Sequence, residues 1–201
     1  MLKRTIALAA LVILSSVGTA RSDLVYDGVP TPPGDAVGNA SAQIMTAIAW
    51  FYDALGQWER NTIEGAQISE DERLERARGS FENAVSTLSD AINQLKAIQA
   101  TNDPVLREAL DQELPGPSDR LVGERDVADV LAEFGYEEPA TYSDIVDIAL
   151  TEALGLQGLL NEDSFSDDVD QFRESVQRIN ERVSRVVLIG IAVGAYTFGT
   201  E

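Results

Sequence analysis

Neither cysteine nor histidine occurs anywhere in the 201 residues. Without an imidazole the chain lacks the usual general base near neutral pH, the commonest zinc and haem ligand, and the base of Ser and Cys triads. Without a thiol it lacks disulfides, Cys-ligated zinc, iron-sulfur clusters and any site for lipoprotein acylation. Glu-x-x-His is also impossible, which removes the carboxylate-bridged di-iron sites of helical bundles. No cofactor is expected, and only carboxylate, hydroxyl, Lys and Arg chemistry survives.

Basic residues are scarce too: 15 Lys+Arg stand against 34 Asp+Glu, a net charge of -19. Lys96 is the sole lysine after residue 4, and the arginines are interleaved with acids. Such a surface repels phosphate backbones, so nucleic-acid binding is excluded. It favours solubility, and it suits a basic partner, a cationic peptide or divalent ions.

The N-terminus predicts export. Lys3 and Arg4 precede an apolar stretch from Thr5 to Val17, and Gly18-Thr19-Ala20 supplies small residues for cleavage. Residues 1-20 read as a signal peptide cut after Ala20. Losing Lys3 and Arg4 takes the net charge from -19 to -21 in a mature protein of the periplasm or medium. The apolar stretch is short of the ~20 residues a spanning helix needs, so no membrane span is expected in the mature chain. Residues 21-39, with Pro30, Pro32, Pro33 and three glycines, predict an extended leader.

From residue 40 onwards the apolar residues recur at three and four, and no alternation of period two or hairpin turn interrupts them. Ile44, Ile48, Phe51, Leu55 and Trp58 predict a first helix from about Ala40 to Glu64, ended by Gly65. Ser69 followed by Glu72 predicts a capping box for the second. Leu74, Phe81, Leu88 and Leu95, alternating with Ala77, Ala84, Ala91 and Ile98, form a coiled-coil-like seam there. Pro104 after Asp103 opens a short helix to about Glu113. Val127, Val130, Leu131 and Phe134 make another, closed by Gly135. Thr141 or Ser143 caps a helix through Ile145, Ile148 and Leu156, with Gly155 and Gly158 inside it. Ser166 caps a long last helix, with Glu174-Arg178 and Glu181-Arg185 as pairs along its surface. The fold class is therefore all-α: a single domain, 40-201, forming an up-down helical bundle with long first, second and C-terminal helices and shorter middle ones.

Four features bear on function. Trp50 lies roughly 100° around the first helix from its apolar stripe. Ala47 and Ala54 flank it and Trp58 follows, so it anchors a partner-binding surface or packs against another helix. Val186 to Phe198 carries no charge, yet as a helix it is too short to span a bilayer. Its Gly190 and Gly194, one turn apart, suit helix packing or self-association, in this chain or in a homo-oligomer through the C-terminal helix. Glu162, Asp163, Asp167, Asp168 and Asp170 offer hard oxygens for calcium, yet lack EF-hand spacing and fit helix capping as well. Asp126, Asp129 and Glu133 share one side of a helix, without any spacing that marks a catalytic pair. The reading that follows is a non-catalytic exported bundle of the cell envelope that binds a protein or small ligand. The alternative is a carboxylate-dependent hydrolase acting on an envelope polysaccharide, which needs two acids, one of raised pKa. A ligand-sensing bundle ranks third, since it needs a membrane link.

Overall fold

The computed structural model describes residues 33-59, 69-114 and 126-197, all within the unit that spans residues 32-201. These contain six α-helices, and among the described residues there is no strand: α1 Pro33–Glu59, α2 Glu70–Gln99, α3 Pro104–Leu110, α4 Val127–Glu133, α5 Tyr142–Gln157 and α6 Val169–Thr197. One 3-10 turn, Glu162–Ser164, lies between α5 and α6. A lone antiparallel bridge joins Glu113 to Thr141. The bundle of long first, second and last helices is thus the fold. The expected signal peptide and the leader as far as Pro32 lie outside the described residues.

The leader does not extend to residue 39, because α1 already begins at Pro33. Proline at a first helical position gives up no hydrogen bond and has its φ preset, so Pro33 starts a helix here instead of preventing one. One more core residue rewards the extension: Val37 is buried, next to Ala40 of the expected helix. At its other end α1 is described to Glu59, and residues 60-68, which include the expected terminator Gly65, lie outside the description.

The late part of α1 meets the early part of α2: Phe51 touches Phe81, and Asp53 accepts from Ser80. Consecutive helices that meet in this way run antiparallel. Their seam repeats every seven residues on both sides. Ala40, Ala47 and Ala54 alternate with Val37, Ile44 and Phe51 in α1, and Ala77, Ala84 and Ala91 alternate with Phe81, Leu88 and Leu95 in α2, all of them buried. Small residues between large ones let two helices close up without a void. Leu74, the expected first seam residue, is only half-buried, and the buried side chain at that end is Arg73.

Caps settle the ends. Ser69 Oγ accepts from the Glu72 backbone, but the Glu72 carboxylate turns to Arg76 one turn on, so the reciprocal half of the expected box is not made. The complete box is at Thr141 and Asp144, on α5. Asp103 and Asp126 cap α3 and α4 by accepting from residues two ahead, and α3 stops at Leu110, short of Glu113. On α6 the cap is Asp168, whose Oδ1 accepts from Asp170 and Gln171. Ser166 instead accepts from the Asp168 backbone, organising the turn that presents the cap.

A nucleus of aromatic rings ties the long helices together. Phe51 meets Phe81 at 6.3 Å and Phe81 meets Phe165 at 5.5 Å. Phe165 meets Phe172 at 5.1 Å and Trp58 meets Phe172 at 4.9 Å. Tilted rings attract at such spacings. Helix α5 packs against α1, α2, α3 and α6, so its burial extends well around its circumference: Ile145, Val146, Ile148, Leu150, Ala153 and Leu156 are all inside. One charged residue is inside with them.

Candidate functional site

Glu152, in the middle of α5, is 2% exposed. A carboxylate taken out of water needs full compensation, and three side chains supply it. Arg185 of α6 donates through Nε to both oxygens, at 3.0 and 3.1 Å, and through Nη2 at 2.8 Å. Arg182, one turn earlier, reaches Oε2 at 3.1 Å. The Tyr136 hydroxyl donates to Oε1 at 2.6 Å. The fork of Arg185 also reaches the Phe134 carbonyl and lies 5.0 Å over the Phe134 ring.

The turn after α4 delivers Tyr136. Gly135 has φ +84°. That left-handed conformation is one that side chains disfavour. The turn sends the Tyr136 backbone N–H back to the Leu131 carbonyl. Burial first, and then the neighbouring Glu152 carboxylate, pushes the Tyr136 phenol up to about 12. The hydrogen bond to Glu152 likewise raises the Arg185 guanidinium. This grouping was not legible in the sequence, where Arg185 reads as the i+4 partner of Glu181; α5 presents a better desolvated acid, and Arg185 takes it. No ion pair joins Glu174 to Arg178 either. Chemically the cluster is closed. Both oxygens of Glu152 are occupied by donors, so it fastens α4, α5 and α6 and leaves no oxygen for a substrate.

The features singled out in sequence are scattered over the molecule. Between Val37 and Glu59 the exposed residues are Thr46, Trp50, Asp53 and Glu59, and Trp50 is 39% exposed. Asp53 accepts from Ser80 at 2.6 Å, which turns its carboxylate toward α2. Ala47 and Ala54 do not flank the indole on a flat surface: both are at 0% exposure, in the seam with α2. Trp58 is half-buried on Phe172, with its Nε1 inside and without a hydrogen-bond partner. The neighbours of Trp50 on the outer face are Gln43, Thr46, Asp53 and Gln57, three to seven residues away. Residues 36-52 contain no charged side chain at all.

At the other end of the chain, Gly190 is exposed, and a Cβ built there meets nothing within 4 Å, so no described helix uses it for close approach. Gly194 lies in α6, and its surroundings lie outside the described residues. Three of the acids offered for calcium are engaged elsewhere, and Asp163 stands apart from them on the 162-164 turn. Asp167 pairs with Arg78 at 2.9 Å, Asp168 caps α6 and Asp170 pairs with Arg173 at 2.9 Å. Among the described residues no group of three acids is placed to hold a metal ion, and capping and pairing account for these three. The side chain of Glu162 lies outside the description. Asp126 is likewise a cap, which separates its role from that of Asp129 and Glu133.

Two shallow concavities accompany these features. One, of about 350 Å³, lies over the start of α5, lined by Glu137, Glu138, Asp144 and Asp147. Burial would raise the Asp144 carboxyl, but hydrogen bonds from Thr141 and Ala140 outweigh it and hold the group below its usual range. Gln99 donates to Asp147 at 2.7 Å. The other, of about 230 Å³, lies between the 158-164 turn and α6. No described helix is long and apolar enough to cross a membrane. No protein family model, no curated protein and no solved structure matches this chain.

Proposed function

We propose that the protein is a non-catalytic, exported component of the cell envelope that holds a protein partner against the outer face of α1. One observation carries this reading: an exposed indole, Trp50, sits on a helix free of charge over residues 36-52 in a chain of net charge -19. Interface centres are depleted in charge and enriched in Trp, because a flat ring is desolvated at small entropic cost. The surrounding acidic surface then steers a basic-rimmed partner and repels further copies of the protein. No comparable observation favours the carboxylate-dependent hydrolase, since Glu152, the buried carboxylate among the described residues, has both oxygens occupied.

The test is crosslinking in native envelope from photoreactive residues placed at Thr46 and at Asn93, exposed positions on α1 and α2. The reading requires one product from position 46, lost on Trp50→Ala with folding intact by circular dichroism, and none from position 93. Identical products from both positions, or a product indifferent to Trp50, would sink it.

A further inference from the structure

The turn after α5 is organised by its own side chains. Asn161 Nδ2 donates to the Gly158 carbonyl at 3.3 Å, and the Ser164 hydroxyl donates to the Leu159 carbonyl at 2.6 Å. That turn faces α6 at Ser175 and Arg178 and leaves the concavity of about 230 Å³ between them. Two opposite charges line it, Asp163 from the turn and Arg178 from the helix. They do not bridge each other, and neither forms an ion pair with any described residue. By contrast Arg76, Arg78, Arg173, Arg182 and Arg185 on α2 and α6 each meet an acid.

We propose that this pocket binds a small zwitterion of the α-amino acid class, its carboxylate on the Arg178 guanidinium and its ammonium on the Asp163 carboxylate, with the Ser175 hydroxyl beside them. Guanidinium and carboxylate meet as a planar fork, among the strongest pairings open to a site without a metal. Charge selects the class. A chain of net charge -19 repels a free anion from Arg178, and a simple cation leaves Arg178 facing another positive group. A zwitterion satisfies both groups and adds no net charge. Volume sets the size: the concavity of about 230 Å³ is smaller than a drug-sized cleft, which fits a molecule with a short side chain. The pocket shares no residue with the outer face of α1, so this inference stands apart from the proposed partner.

Calorimetry on the intact protein tests it, with alanine as first probe, the other proteinogenic amino acids as a panel, and acetate and methylammonium as half-ligands. Saturable binding of alanine or another panel member is expected, with neither half-ligand binding at the same concentration. Arg178→Gln and Asp163→Asn should each weaken it by about tenfold or more. Both positions are exposed, so folding should be kept and is checked by circular dichroism. No saturable binding across the panel overturns the inference, as does binding unchanged in either variant, or acetate or methylammonium alone matching the amino acid.

Discussion

The guanidinium of Arg182 fills the space in which any side chain at Gly155 would begin. Helix α5 therefore carries a glycine in its interior for a steric reason: Arg182 crosses the helix backbone at that point to reach Glu152, one turn away. A glycine that reads in sequence as a weakness of α5 is the opening through which a second arginine reaches a buried acid.

A double-mutant cycle follows from that contact. Alanine in a helix interior is favoured over glycine by ~1 kcal/mol, so Gly155→Ala would stabilise if space were free. Here it displaces Arg182 from Glu152, and a net loss of about 1–2 kcal/mol is expected. In an Arg182→Ala background the same substitution should gain ~1 kcal/mol. Urea unfolding of the four proteins reads the reversal of sign; two losses would show that Arg182 is not what excludes the methyl group.

Glu152 itself should be among the most sensitive positions. Removing one partner of a buried ion pair leaves the other uncompensated, so Glu152→Ala is expected to cost about 3–5 kcal/mol in urea unfolding. Arg185→Ala should cost nearly as much, and Arg182→Ala less, since Arg182 contributes one bond where Arg185 contributes three.

Alkaline pH probes the same cluster from Tyr136. Its folded pKa of about 12 lies above the ordinary 10.0, so the unfolded chain loses this proton first. The contribution is therefore complete below about pH 10 and disappears as pH rises toward about 12. Tyr136→Phe should flatten the fall of stability over that window and remove one late-titrating phenol from the ultraviolet titration; Tyr52, also raised by burial, remains in both proteins. An unchanged alkaline limb would show that the phenol does not bond Glu152.

The two tryptophans should separate cleanly. Trp50→Ala is expected to cost ~1 kcal/mol in thermal unfolding, since the indole is 39% exposed and gives up only the part of its area packed on the helix. Trp58→Ala removes the ring packed on Phe172 and should cost ~2–3 kcal/mol, below the full core value because the side chain is half-buried. Acrylamide should quench the Trp58→Phe protein, which retains Trp50, far more than the Trp50→Phe protein.

At the start of α6, Asp168→Ala should cost ~1 kcal/mol of helix stability and Ser166→Ala less than half of that. Two backbone donors of the helix end on Asp168 and none on Ser166. Equal losses in thermal unfolding would return the cap to Ser166.

The local and periodic features were readable from the chain alone. The three-and-four spacing set the helices, the seven-residue alternation of alanine with large residues marked a seam along α2, and Ser69, Asp103 and Thr141 announced their caps, because each depends on groups within a turn or two. Pro104 behind its Asp103 cap was legible as a helix start, whereas Pro33, in a run with Pro30, Pro32 and three glycines, read as a breaker, hence the missed start of α1. Packing, by contrast, chose the neighbour that each long side chain met. Ala47 and Ala54 went to the seam and Trp50 to the surface once α2 took its side of α1. Arg185 left Glu181 for Glu152, thirty-three residues away, because burial makes an unpaired carboxylate costly and an exposed one cheap, and burial is known only after the helices have packed.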